Sequence, residues 1–213
     1  MTTTNPTTKP EWSTLAPHDL AWCVRRLPKA VREELKERGP ALCVAGGFVR
    51  ASIAREEIND VDLFTTNKES AMTVAVRLSP ADKPPFVTDN AITVHRPLCP
   101  AIQIIHRWVF ARPEEVVPSF DFTVARAAIW FEQDMWRSMC DVDYYQDLAA
   151  KRLVYCRPDR NEDAGGSMLR VLKFYQKGYR IPLDSLAAVM ARLINGIDFM
   201  KIRATSRELD IGI

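Results

Sequence analysis

The sequence predicts an α+β fold: a mixed sheet with flanking helices, followed by a small helical extension. Short apolar runs of strand length alternate with helix-periodic stretches from residue 12 onward. From about residue 144 the strand patterns stop and only helical periodicity remains. Hydrophobic residues make up 47% of the 213, ample for one sizeable core. The chain divides accordingly into a tail over 1–11, a head domain over 12–145 and a helical neck and extension over 146–213.

The tail, "MTTTNPTTKPE", has nothing to bury and is expected to be disordered. In "APHDLAWCVRRLPKAVREELKERG", Leu20, Val24 and Leu27 fall at helical spacing, Val31 and Leu35 continue it after Pro28, and Gly39-Pro40 closes it. "ALCVA" is a continuous apolar run that suits a buried strand. Gly46-Gly47 turns the chain into a helix, "FVRASIAREE", and "VDLF" is a second buried strand. The helix "KESAMTVAVRL" leads to the loop "SPADKPP", and further strands are predicted at "AITVHR", "AIQIIHRWVF" and "SFDFTVARAAIWF". Helices at "GSMLRVLKFYQKGYRI" and "LDSLAAVMARLINGIDFMKIRA" complete the chain.

The charge balance excludes a globally basic nucleic-acid binder: 29 Lys and Arg against 27 Asp and Glu give a net +2, so any phosphate-binding surface must be local. Five cysteines without C-x-x-C spacing argue against a disulfide framework or zinc site. There is no apolar run of signal-peptide type and none near the ~18 residues that span a membrane, so a cytoplasmic protein without membrane contact is expected.

The chemistry concentrates in "VAGGFVRASIAREEINDVDLF". On a strand, Asp60 and Asp62 project to one face while Val61 points to the other. Two carboxylates so close repel unless a cation lies between them, and hard oxygen ligands suit Mg²⁺ with phosphate oxygens completing its shell. Upstream, Gly46 and Gly47 permit close backbone approach, the next helix aims its positive end there, and Arg50 adds a charge on its first turn. An anion cradle beside a metal clamp suits a nucleoside triphosphate with Mg²⁺. His95 and His106, on predicted strands, are read as structural, and Asp141 and Asp143 as solvated loop carboxylates.

This stretch resembles the Gly-Gly…Asp-x-Asp signature of the DNA polymerase beta superfamily of nucleotidyltransferases. In detail it is most similar to the head domain of tRNA CCA-adding enzymes and bacterial poly(A) polymerases, with Ala51 where the family's helix often carries Asp. "SFDFTVARAAIW" is similar to the family motif centred on Asp-Phe-Thr, with Asp121 on the family aspartate and Ser119 and Phe120 in place of two arginines. "FDF" also has the form of the superfamily's third metal carboxylate on a strand, a position for which Gln103 in "IQIIH" competes. "EDAGGSMLRVLKFYQKGYRI" is similar to the neck helix that faces the nucleotide, with Arg170, Lys173 and Lys177 on one side, although its Glu162-Asp163 pair is out of register with Arg170.

The resemblance, over residues 41 to 181, implies a polymerase-beta-like nucleotidyltransferase fold and a Mg²⁺-dependent transfer from ATP or CTP to an acceptor hydroxyl. The acceptor it implies is an RNA 3′ end, tRNA being the commonest case. Asp60, Asp62 and Asp121 would hold two Mg²⁺ ions, and Gly46, Gly47, Arg50, Arg170 and Lys173 the nucleotide. Two other readings stand beside it. One is a protein or small-molecule acceptor, as in toxin-like members. The other is a catalytically degenerate nucleotide- or RNA-binding module, which Gln103, Ser119 and Phe120 favour.

Overall fold

The apolar runs assemble into one eight-stranded mixed sheet with helices on both faces. A computed structural model describes residues 11–156 and 165–196. In chain order these form β1 (Trp12–Ser13), α1 (Pro17–Arg26), α2 (Lys29–Arg38), β2 (Leu42–Ala45), α3 (Gly47–Ala54), β3 (Asp60–Thr65), α4 (Lys68–Leu78), β4 (Phe86–Val87), β5 (Ala91–Val94) and β6 (Ala101–Ile105). There follow α5 (Pro113–Val116), β7 (Ala127–Glu132), β8 (Met135–Asp141), α6 (Tyr144–Ala149), α7 (Gly166–Gln176) and α8 (Leu183–Gly196). Residues 1–10, the Glu162-Asp163 pair and the end of the last predicted helix lie outside the described residues.

The sheet order is β1-β8-β7-β2-β3-β6-β5-β4, and β3 and β6 run parallel. All four residues of β2 are buried, because helices cover one face and α5 with its following turn covers the other. That two-sided burial is why "LCVA" is a continuous apolar run. Pro28 separates α1 from α2, and Gly39 ends α2 with φ +57. Asn67 caps α4 by accepting the Ser70 N–H at 2.7 Å. The larger apolar cluster runs from Leu15 and Val31 through Val61 and Ile102 to Val171, Phe174 and Val189, so the neck helices share the core of the head.

Four sequence expectations change. The strand expected at "SFDFTVARAAIWF" begins only at Ala127; the segment before it is loop with a 3₁₀ turn over Thr123–Ala125. Arg126 braces this loop, donating to the carbonyls of Phe120 and Pro118 and pairing with Asp141 at 3.3 Å, while Phe122 forms an isolated bridge with Tyr155. Asp121 therefore sits on a loop. The strand at "AIQIIHRWVF" stops at Ile105, since the N–H groups of His106 and Arg107 both turn to the Asn90 carbonyl. Asp141, read as a solvated carboxylate, is buried in its pair with Arg126 and accepts the Asp143 N–H. His106 is structural as expected, buried with Nε2 3.0 Å from the Thr88 carbonyl. Glu11, assigned to the tail, already accepts the Val142 N–H.

Asp147 ties the motif loop to α6. Only 1% exposed, it accepts from Thr123 Oγ1 at 2.5 Å and Arg152 Nε at 2.7 Å. Asp147→Ala should cost about 2–3 kcal/mol in denaturant unfolding, below the ~3–5 of a fully buried pair because Arg152 is partly exposed.

Candidate active site

β3 starts at Asp60, so both aspartates lie at the strand's opening end, with Val61 fully buried between them. No cationic side chain among the described residues pairs with either carboxylate; Gln103 Nε2 makes a long 3.5 Å contact with Asp60 Oδ2. Burial, and then the charge of Asp60, push the Asp62 carboxyl up to about 7.

The start of α3 lines the same cleft as this pair. Gly46 is its N-cap, with φ +74, and a Cβ there would lie 2.8 Å from the Phe120 ring, so the turn requires glycine twice over. Its own N–H donates to the Ala127 carbonyl at 2.9 Å. The helix start beyond it, at Gly47, is open, since a Cβ there would meet nothing within 4 Å.

Arg50, on the same helix, is 7% exposed and held from two sides. Its Nε donates to Glu56 at 3.3 Å, and its guanidinium lies 4.8 Å from the Phe174 ring of α7. Glu56 also accepts the Tyr179 hydroxyl at 2.9 Å. Held through Nε, the guanidinium keeps its two terminal nitrogens without a hydrogen bond among the described residues, and Arg50 lines the cleft.

The cleft itself, about 450 Å³, gathers Gly47, Arg50, Asp60, Asp62, Asp121, Arg170 and Lys173. Of the residues expected to hold metal or nucleotide, all but Gly46 line it, Gly46 shapes its wall through Phe120, and the competing Gln103 lies beside Asp62 on β6. Asp121 lines the cleft from the motif loop. Its carboxylate, buried at 3% exposure, takes the Arg170 Nη1 at 2.6 Å, and among the described residues no group of three His, Cys, Asp or Glu is placed to hold a metal ion.

Sequence reasoning did not single out Asn59, Phe174 or Gln176 as lining residues, and it gave Phe120 and Lys177 no place in the site. Lys177 carried a signal, the helical spacing from Arg170. Phe120 carried none, since its position depends on the loop.

The mixed sheet, the glycine turn and the acid pair together define a polymerase-beta-like nucleotidyltransferase fold. Matching the family described as Gabija anti-defense 2 over residues 20–151, the chain belongs to that family. Among solved structures it is similar to a Thermotoga maritima CCA-adding enzyme complexed with tRNA, at TM-score 0.59 and 16% identity, covering 86% of this chain and 46% of that one. A CCA-adding enzyme with CTP matches at TM-score 0.57 and 16% identity, over 93% and 54% of the two chains. Another with ATP matches at 0.59 and 17%, over 85% and 46%. The chain thus spans about half the length of these structures. No curated protein matches the sequence.

The raised Asp62 carboxyl makes stability depend on pH. Between the unfolded value near ~4 and the folded value of about 7, the folded state binds more protons, so stability falls as pH rises through that window. In urea unfolding at pH 4, 5.5 and 7 without metal, Asp62→Asn should gain stability relative to the original chain as pH rises. A constant difference would refute the assignment.

Proposed function

We propose that this protein transfers a nucleoside monophosphate from ATP or CTP to an acceptor hydroxyl and releases pyrophosphate. The observation that carries this reading is the convergence in one cleft of an acid pair that meets no cation among the described residues, a helix start and the cations Arg50, Arg170 and Lys173. The pair fits a divalent ion: two carboxylates share one face of β3, no cationic side chain among the described residues pairs with them, and burial with the charge of Asp60 raises the cost of ionising Asp62.

Asp60 and Asp62 would hold Mg²⁺, which when bound supplies Lewis acidity at the phosphoryl oxygens and neutralises leaving-group charge. The first-turn amides of α3 and the terminal nitrogens of Arg50 bind phosphate oxygens. Arg170 and Lys173 add positive charge from the neck side, with Asp121 orienting Arg170. Phe120 and Phe174 wall the cleft and exclude water from its floor.

For the acceptor, the likeness to a CCA-adding enzyme complexed with tRNA supports an RNA 3′ end. Family membership favours a second reading, in which the hydroxyl belongs to a protein of the Gabija defence. Incubation with Mg²⁺, each α-labelled nucleoside triphosphate, total RNA and protein from Gabija-bearing cells separates them. Label should enter one acceptor class and fall by about 10³-fold or more in Asp60→Ala, the loss of several kcal/mol of charge stabilisation. Nucleotide binding without label on any acceptor would favour a binding module instead.

A further inference from the structure

Parallel pairing of β3 with β6 places Gln103 directly beside Asp62, with Thr93 of β5 on its other side. Residues paired across neighbouring strands project to the same sheet face, so Asp60, Asp62 and Gln103 form a three-position cluster on one surface. The 3.5 Å contact from Gln103 Nε2 to Asp60 Oδ2 shows that the amide reaches the carboxylates.

The third position of that cluster is neutral. The nearest alternative acid lining the cleft, Asp121, is already compensated by Arg170 at 2.6 Å. A divalent cation here meets two carboxylates and an amide that presents its N–H side to one of them. Affinity in such oxygen sites follows the number of charged ligands. Triphosphate oxygens would add the missing charge, and Arg50 and Lys173 stand in the same cleft to hold them.

We propose that Gln103 keeps the nucleotide-free centre poor in metal and couples capture of a divalent cation to binding of the triphosphate. The proposal rests on the nucleotidyltransferase reading above. Coupling of this kind is reciprocal and amounts to about 5–150-fold in affinity.

The probe is Mn²⁺, with binding to the full chain followed by electron paramagnetic resonance with and without a non-hydrolysable α,β-methylene analogue of ATP or CTP. The original chain should bind Mn²⁺ weakly alone and about 5–150-fold more tightly with the analogue. Gln103→Glu should bind Mn²⁺ alone on the order of tenfold more tightly and lose most of its dependence on the analogue. Gln103→Met, neutral and of similar size, should keep weak binding alone and keep the coupling, which tests the idea even if the glutamate variant does not fold. A folded Gln103→Glu with unchanged Mn²⁺ affinity, or a Gln103→Met that gains it, would overturn the proposal. Analogue binding that leaves Mn²⁺ affinity unchanged in the original chain would overturn it alone, whereas failure to bind either analogue under any condition would bring down the nucleotide reading beneath it.

Discussion

Repulsion between Asp60 and Asp62 is the constraint around which the rest of the structure is arranged. The strand places both on one face, and burial of Val61 between them fixes that register, because a slip by one residue would turn the acids into the core. Among the described residues no lysine or arginine pairs with either acid to relieve the repulsion. The fold leaves the pair facing a cleft, aims the start of α3 there and sets cations on the far side. Such a frustrated pair costs stability and is retained where a ligand supplies the missing charge.

The neck is integral to this arrangement. Phe174 is at once a core residue, packed on Phe122 and Tyr179, and the surface over which Arg50 lies. Glu56 joins α3 to the residues after α7 by accepting from both Arg50 and Tyr179. Position of the Arg50 guanidinium is thereby linked to packing of the neck, and the Arg170–Asp121 pair makes a second link across the same cleft.

How much of this was legible in the sequence depended on whether the cause was local. β2, α3, β3 and α4 could be read because their apolar periods end at strong punctuation: Gly46-Gly47, Asn67 and the proline-rich loop. The shared face of Asp60 and Asp62 follows from period two alone. β8 escaped notice because its hairpin turn, Gln133-Asp134, takes left-handed backbone at φ +51 and +57 without the glycine that signals it. "FDFTVAR" imitates a strand by alternation, yet it makes an isolated bridge, Phe122 with Tyr155, and then a 3₁₀ turn over Thr123–Ala125. The pairing of Arg50 with Glu56 crosses a left-handed helix end at Arg55, where helical spacing rules no longer apply. Gln103 meets Asp62 only because β3 and β6 run parallel, a non-local fact.

The central claim is that Asp60 and Asp62 together form the divalent-cation end of a nucleotide site. Its most direct test is a crystal of the protein grown with Mn²⁺ and a non-hydrolysable nucleoside triphosphate, measured at a wavelength where manganese scatters anomalously. The account predicts an anomalous peak within coordination distance of both carboxylates, with triphosphate density running from it toward Gly47 and Arg50. Triphosphate bound elsewhere, or bound in the cleft with manganese away from both aspartates, would contradict it.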